Sequence, residues 1–272
     1  MCTVLTLDRE KLFGRTMDFP PRTPWRLTFL PAGYRWCPAS EEKTIDNHYA
    51  ILGGMRLVDD HYLIGDGIND QGLVCAELFF PVAASYGQAR PGRLTLTPQD
   101  FIHWVLGSHA TVQEVISDLE NINVVKKRWF DGIQYPFHWF LMDSTGSYGI
   151  EPLAGKLVVF KNTVGVYTNT PAYPVQIEKL NRYLGNDSES QFTAQTKIDL
   201  AKMNAQITGR NSSDRFILAA QARWGSKIST VEELKSFLQS VTIPKNAQHP
   251  HNYTHYRQLL TNKLANTAFT TN

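Results

Sequence analysis

The sequence predicts an α+β fold in which antiparallel sheets are stacked and helices gather on their outer faces. Strand-like and helix-like segments come in runs, in the order strands, helices, strands, helices, rather than in strict alternation. A hairpin signature spans Ile64 to Phe80, with Asn69-Asp70-Gln71-Gly72 supplying turn chemistry between two apolar runs. From Phe137 to Asn169, short apolar segments are separated by turns at Ser144-Thr145-Gly146 and Ala154-Gly155. With no repeat at a solenoid period and no low-complexity linker, the 272 residues read as a single domain, 1–272.

Taken in order, Thr3 to Leu7 alternates polar and apolar residues, Leu12 to Phe19 is a second strand stopped by Pro20-Pro21, and Tyr49 to Leu57 is a third. Together with the Ile64 to Phe80 hairpin these read as one antiparallel sheet. A helix is expected from Thr97 as N-cap with Pro98 at its first position, stopping at Gly107, and a second from Thr111 with Glu114 completing a capping box. Phe137–Met142, Tyr148–Leu153, Lys156–Phe160 and Val164–Asn169 read as a four-strand meander. Helical patterns resume at Val175–Leu184, Arg215–Trp224 and Val231–Leu238, the last opened by a Thr230 to Glu233 capping box.

Composition narrows the function classes. A formal charge of +2 with no basic run interleaved with aromatics argues against nucleic acid as a partner, and no apolar stretch reaches the ~20 residues a membrane helix needs. The three cysteines, Cys2, Cys37 and Cys75, are too few for a disulfide framework, and no secretory leader is evident, so a cytoplasmic location with reduced thiols is expected. The eight histidines show no metal-ligand spacing and no cofactor is expected. A small molecule is the expected partner.

The chemistry centres on Cys2. Removal of Met1 leaves a thiol and a free α-amine on one residue, so the nucleophile carries its own base. The α-amine, with an ordinary pKa of about 7.7–8.0, accepts the thiol proton and can later protonate a leaving amine. On position alone, Cys2 reads first as a small residue opening a strand. One hairpin away lie Arg15, which would favour a thiolate, and Asp18, which would hold an α-ammonium. An isolated R-x-x-D is also an ordinary surface pair. Residues three apart point to opposite faces of a regular strand, so joint service of Arg15 and Asp18 requires a bend.

Five segments stand in order: M-C-T at the start, F-G-R-T-M-D-F at 13–19, G-D-G-I-N-D-Q-G-L at 65–73, G-V-Y-T-N-T-P at 165–171 and S-D-R-F at 213–216. In that order they resemble the choloylglycine hydrolase family of bile salt hydrolases and penicillin V acylases. The resemblance runs to about residue 240. It implies an N-terminal-nucleophile (Ntn) hydrolase fold, an αββα four-layer sandwich, and hydrolysis of linear amide C–N bonds through an acyl-enzyme on Cys2. Carried over by position, Arg15 becomes the electrostatic partner of Cys2, Asp18 the α-amine ligand, Asn169 the oxyanion-hole amide and Arg215 the remaining active-site arginine. The backbone N–H of Phe79 becomes the second oxyanion donor, each donor being worth on the order of 3 kcal/mol. Without the resemblance, Asn169 reads as a turn residue and Arg215 as a surface charge at a helix start.

Substrate choice is expected to turn on position 79, where the family's bile salt hydrolases carry asparagine and its penicillin V acylases tyrosine. Phe79 is closer to the acylase pattern, whereas Pro81-Val82 and Ser85-Tyr86 are closer to the bile-salt pattern. Met17, Phe19, Tyr62 and Phe137 are candidate pocket residues for a phenoxyacetyl or other acyl amide or a conjugated bile acid. The family resembles homotetramers, so a homo-oligomer is expected.

From Thr254 to Asn272 the sequence departs from the family pattern, and the last strands are expected to be missing or altered. Two alternatives follow: an inactive or weakly active paralogue that binds acyl amides, and a conventional cysteine hydrolase with a histidine such as His138 as base.

Overall fold

The computed structural model describes residues 2–7, 11–18, 24–187, 189–203, 207, 211–225, 228–246, 253–261 and 268–271. Strands β1 (Thr3–Leu7) and β2 (Leu12–Met17) open the fold, followed by β3 (Arg26–Leu30), β4 (Arg35–Trp36), β5 (Ile45–Asp46), β6 (Ile51–Val58), β7 (His61–Asn69) and β8 (Val74–Phe79). After β9 (Leu94–Leu96) come helices α1 (Phe101–Ser108) and α2 (Val112–Asp118). Strands β10 (Ile122–Val124), β11 (Phe137–Asp143), β12 (Gly146–Leu153), β13 (Lys156–Lys161) and β14 (Val166–Thr168) follow. Helices α3 (Tyr173–Tyr183), α4 (Ala194–Lys202), α5 (Ser212–Ala220) and α6 (Val231–Ser240) precede β15 (Tyr256–Thr261) and β16 (Ala268–Thr271).

Two large antiparallel sheets carry the fold, in the orders β14-β1-β2-β15-β16 and β13-β12-β11-β8-β7-β6-β3. Their inner faces meet: the Phe13 and Phe140 rings are 5.7 Å apart, and the Thr6 hydroxyl lies 3.2 Å from that of Ser147. Helix α1 covers β7 and β8, whereas α5 covers β1 and β14 and α6 covers β2. The result is the expected α+β arrangement, helix on sheet on sheet on helix. Every residue of β1 and β2 is buried, because each strand meets a sheet on one face and helices on the other. Gly14 on β2 lets α6 come close, since a Cβ there would sit 3.0 Å from Leu234 and Leu238.

Several boundaries differ from the sequence expectation, each for a local reason. The strands of the first third divide between the two sheets instead of forming one, with β1 and β2 in one and β6, β7 and β8 in the other. The meander loses its fourth strand: β14 crosses to the other sheet and pairs with β1. The corner is built by Asn162, whose Oδ1 accepts from Gly165 N at 2.8 Å and whose Nδ2 donates to Val166 O at 2.9 Å. Gly165 takes φ +71° there, where a Cβ would collide with the Arg223 guanidinium.

Helix α1 starts at Phe101 rather than after Thr97, because Asp100 folds back to accept from Thr97 N and Thr97 Oγ1 at 3.0 and 2.7 Å. At α2, Thr111 caps Glu114 N, but the Glu114 carboxylate reaches Ala110 N rather than Thr111 N, so the box is half closed. The Thr230 to Glu233 box of α6 forms in full. The segment beyond Thr254, where strands were expected to be missing or altered, supplies β15, paired with β2 from Tyr256↔Met17 to Thr261↔Leu12, and then β16.

Candidate active site

Cys2 stands at the head of β1 and is buried. The β1–β2 hairpin sets Val4 opposite Arg15 and Thr3 opposite Thr16, which brings the arginine beside the cysteine. The Arg15 guanidinium is fully buried, donates from Nη1 to Gly65 O at 2.7 Å and pairs with Asp66 Oδ2 at 3.2 Å. Burial works against its charge, yet the Cys2 sulfur and Asp66 beside it outweigh that cost, so its pKa is pushed above the ordinary arginine range.

Strand β2 ends at Met17, whose carbonyl accepts from His255 N at 2.7 Å. Asp18 therefore lies outside the strand and escapes the alternation that would separate it from Arg15. Its Oδ1 accepts from Thr254 Oγ1 at 2.6 Å, and its Oδ2 lies 3.4 Å from Arg215 Nη2 and 3.4 Å from Thr16 Oγ1. Arg215 is no surface charge: it is buried in α5, with Nε donating to Thr3 Oγ1 at 2.7 Å and Nη2 to Thr16 Oγ1 at 3.3 Å. Two buried arginines thus reach the first residues of β1. Met1, whose removal the sequence reading requires, lies outside the described residues, as does Phe19.

On the other side of β1, the β14 ladder pairs Thr3 with Thr168, so Asn169 falls at the next position, across from Cys2. Asn169 donates from Nδ2 to Phe79 O at 2.8 Å. An amide nitrogen carries two hydrogens, so this bond anchors the group and leaves a second N–H for a substrate oxygen. Phe79 closes β8 and is 36 % exposed, opposite the buried Phe137. Met17 is buried with its sulfur 3.7 Å from Arg15 Nη2. Tyr62 stands elsewhere, in a cleft of about 330 Å³ shared with Tyr34, Trp36, His103 and Phe130, which none of the five expected catalytic residues lines.

His138 is tied into a different buried cluster, its Nδ1 3.2 Å from Glu151 Oε1 and 3.1 Å from Tyr167 Oη, with its ring stacked on Phe80 at 4.1 Å. Cys37 and Cys75 are free thiols. Burial and the nearby Glu77 push the Cys75 thiol well up, which keeps it protonated and inert.

Three contributors were not singled out from sequence. Asp66 neutralises Arg15, Tyr256 donates to Asp66 at 2.7 Å, and Thr254 holds Asp18. Asp66 had a signal: it alternates with Ile64 and Ile68, which puts a carboxylate on an apolar strand face. Tyr256 and Thr254 had none, because their partners lie far away in the chain.

Residues 2–272 match the family model described as linear amide C–N hydrolases, choloylglycine hydrolase family. Among curated proteins, a bile salt hydrolase/transferase of Clostridium perfringens is 36% identical over 191 residues, covering 68% of this chain and 58% of that enzyme. One from Lactiplantibacillus plantarum is 30% identical over 235 residues, 83% of this chain and 72% of the enzyme. The crystal structure of a mutant conjugated bile acid hydrolase from Clostridium perfringens superposes with a TM-score of 0.78 at 27% identity, covering 100% of this chain and 89% of that one. Penicillin V acylase from Agrobacterium tumefaciens shares the fold, with a TM-score of 0.71 at 21% identity over 100% of this chain and 83% of that one.

Proposed function

Because the chain belongs to the choloylglycine hydrolase family of linear amide C–N hydrolases, we propose that it cleaves an acyl amide by nucleophilic attack from Cys2. The observation that carries this reading is the convergence of two buried arginines on the start of β1, Arg15 beside Cys2 and Arg215 on Thr3. With Met1 removed, the Cys2 α-amine takes the thiol proton and the sulfur adds to the amide carbon. The Asn169 side chain and the Phe79 N–H receive the resulting oxyanion. Collapse expels the amine, protonated by the α-ammonium, and leaves a thioester. Water, deprotonated by the same α-amine, then attacks the thioester carbon, releasing the acid and restoring the thiol. Asp18, held by Arg215 and Thr254, is the counter-charge for the ammonium. The continuous pairing of β15 with β2 supports an active enzyme over the paralogue that only binds.

The substrate of this reading is a conjugated bile salt, in line with the names of the relatives above. A phenoxyacetyl amide of the penicillin V type is the second reading, favoured by the part-exposed aromatic ring of Phe79 at the end of β8. A cytoplasmic setting, supported by three unpaired cysteines, and assembly as a homo-oligomer complete the proposal. No helix among the described residues is long and apolar enough to cross a membrane. Intact mass together with turnover of a glycine-conjugated bile salt and of penicillin V tests the whole reading. A protein lacking Met1 with turnover abolished by Cys2→Ala supports it; a processed protein that turns over neither substrate counts against it.

A further inference from the structure

A buried hub joins the two arms of the site. The Gln176 side chain, on α3, donates from Nε2 toward Asn169 O at 3.1 Å, Thr168 Oγ1 at 3.2 Å and Ser212 Oγ at 3.3 Å. Ser212, the first residue of α5, places its hydroxyl 2.9 Å from Asn169 O and 3.1 Å from Thr168 Oγ1. Thr168 Oγ1 in turn donates to Ser212 O at 3.1 Å. Every side chain of this hub is buried.

Asn169 O can only accept, which fixes the Gln176 amide with its nitrogen facing the β14 terminus. Its Oε1 has no hydrogen-bond partner among the described residues, so the bonds the residue makes there are all donations.

Resting on the hydrolase reading above, we infer that Gln176 and Ser212 are positioning residues for the oxyanion arm, fixing the Asn169 peptide and linking it to the helix that carries Arg215. Asn169 must hold its amide toward Phe79 O while offering the second N–H to substrate. Two donors on its own carbonyl prevent the peptide plane from rotating, and rotation would carry the side chain away from Phe79. Ser212 is also three residues before Arg215, so the same bond pins the start of the helix whose arginine holds Thr3 and Asp18. Nucleophile arm and oxyanion arm are thereby kept in register although they come from different parts of the chain. Displacing such a group by an ångström is sufficient to cost on the order of 100-fold in rate.

The experiment compares wild type, Gln176→Leu, Gln176→Glu, Ser212→Ala and Ser212→Thr by kcat, KM and the rate of Cys2 alkylation with iodoacetamide. Gln176→Glu keeps the shape but presents an acceptor to Asn169 O, so it should behave like Gln176→Leu. The expected result for both is a kcat lower by about ten- to a hundredfold, with KM and Cys2 alkylation within about twofold of wild type. Ser212→Thr, which keeps the hydroxyl, should retain more activity than Ser212→Ala. Unchanged kcat in Gln176→Leu, or alkylation falling in step with kcat, overturns the positioning role. If wild type turns over no amide, the hydrolase reading fails instead. The hub is then judged by the Gln176→Leu crystal structure, where an Asn169 amide still 2.8 Å from Phe79 O overturns the inference and a displaced one supports it.

Discussion

The Tyr256 hydroxyl donates to Asp66 Oδ2 across 2.7 Å, and that same oxygen pairs with Arg15 at 3.2 Å, so a residue of β15 sits two contacts from the arginine beside the nucleophile. Space for the ring comes from two glycines: a Cβ on Gly54 or Gly65 would lie 2.6 or 2.7 Å from the tyrosine oxygen. A buried carboxylate facing a buried guanidinium needs its remaining lone pairs filled, or the ion pair loses what it gains.

Tyr256→Phe removes that donor without changing the packing. It is expected to cost about 1.5–3 kcal/mol of stability, the range for a hydrogen bond to a charged group, and to slow turnover as Arg15 loses its fixed seat. Urea denaturation of the two proteins measures the first effect, and a difference below about 0.5 kcal/mol would show the contact to be idle.

Gly54→Ala attacks the same contact from the opposite sheet. The new methyl drives the ring from its slot, so a loss of about 1–3 kcal/mol is expected, together with slower turnover. In Tyr256→Phe the oxygen 2.6 Å from that methyl is gone, leaving the ring carbon at 2.7 Å as the remaining obstruction. Gly54→Ala should therefore cost less in that background than in wild type, and a double-mutant cycle with no coupling would contradict the geometry.

Acid should destabilise the protein through His103. Its ring is buried, stacked on Trp36 at 4.1 Å, and burial pulls its pKa down from 6.5 to about 3. The folded form resists a proton that the unfolded form takes readily, so its contribution is complete above pH 6.5 and is lost as pH falls toward 3. Stability followed from pH 7 to pH 4 should decline, and His103→Gln should flatten part of that slope. An identical slope in the variant would assign the decline to other groups.

Arg215→Lys keeps the charge but not the fork. One ammonium has to serve Thr3, Thr16 and Asp18, which the guanidinium reaches from two nitrogens. A fall in kcat/KM of about tenfold or more is expected. Activity equal to wild type would reduce Arg215 to a counter-charge.

Phe79→Asn should move preference toward a glycine-conjugated bile salt relative to penicillin V, by about tenfold in the ratio of kcat/KM values. The backbone of residue 79, which anchors Asn169, is untouched by this change. A ratio that does not move would place specificity elsewhere in the pocket.

Much of the fold was legible because alternation and turn residues are local. The β1–β2 hairpin, the Asn69 to Gly72 turn and the Thr230 cap all came from short windows of sequence. The division of strands between two sheets was not legible, since Thr6 and Ile68 alternate alike and nothing within either segment names its partner. Cys2, Arg15 and Asp18 were legible as a chemical set, Asn169 and Arg215 only through resemblance. Tyr256 and Ser212 were missed because each works through a residue distant in sequence, and Gln176 because a buried polar side chain on a helix reads the same as an exposed one until the chain is folded.

Strand β15 lies between β2 and β16, and Thr254 just before it grips Asp18 across a separation of 236 residues. The sheet that bears the nucleophile is therefore completed by a strand that follows β2 only after both helical runs and the whole second sheet. Until β15 is made, β2 has an open edge and Asp18 lacks its threonine, so the strand beside the nucleophile is synthesised long before its partner. Long-range β pairing of this kind is slow to form, because the loop between the partners must be closed before the contacts repay it.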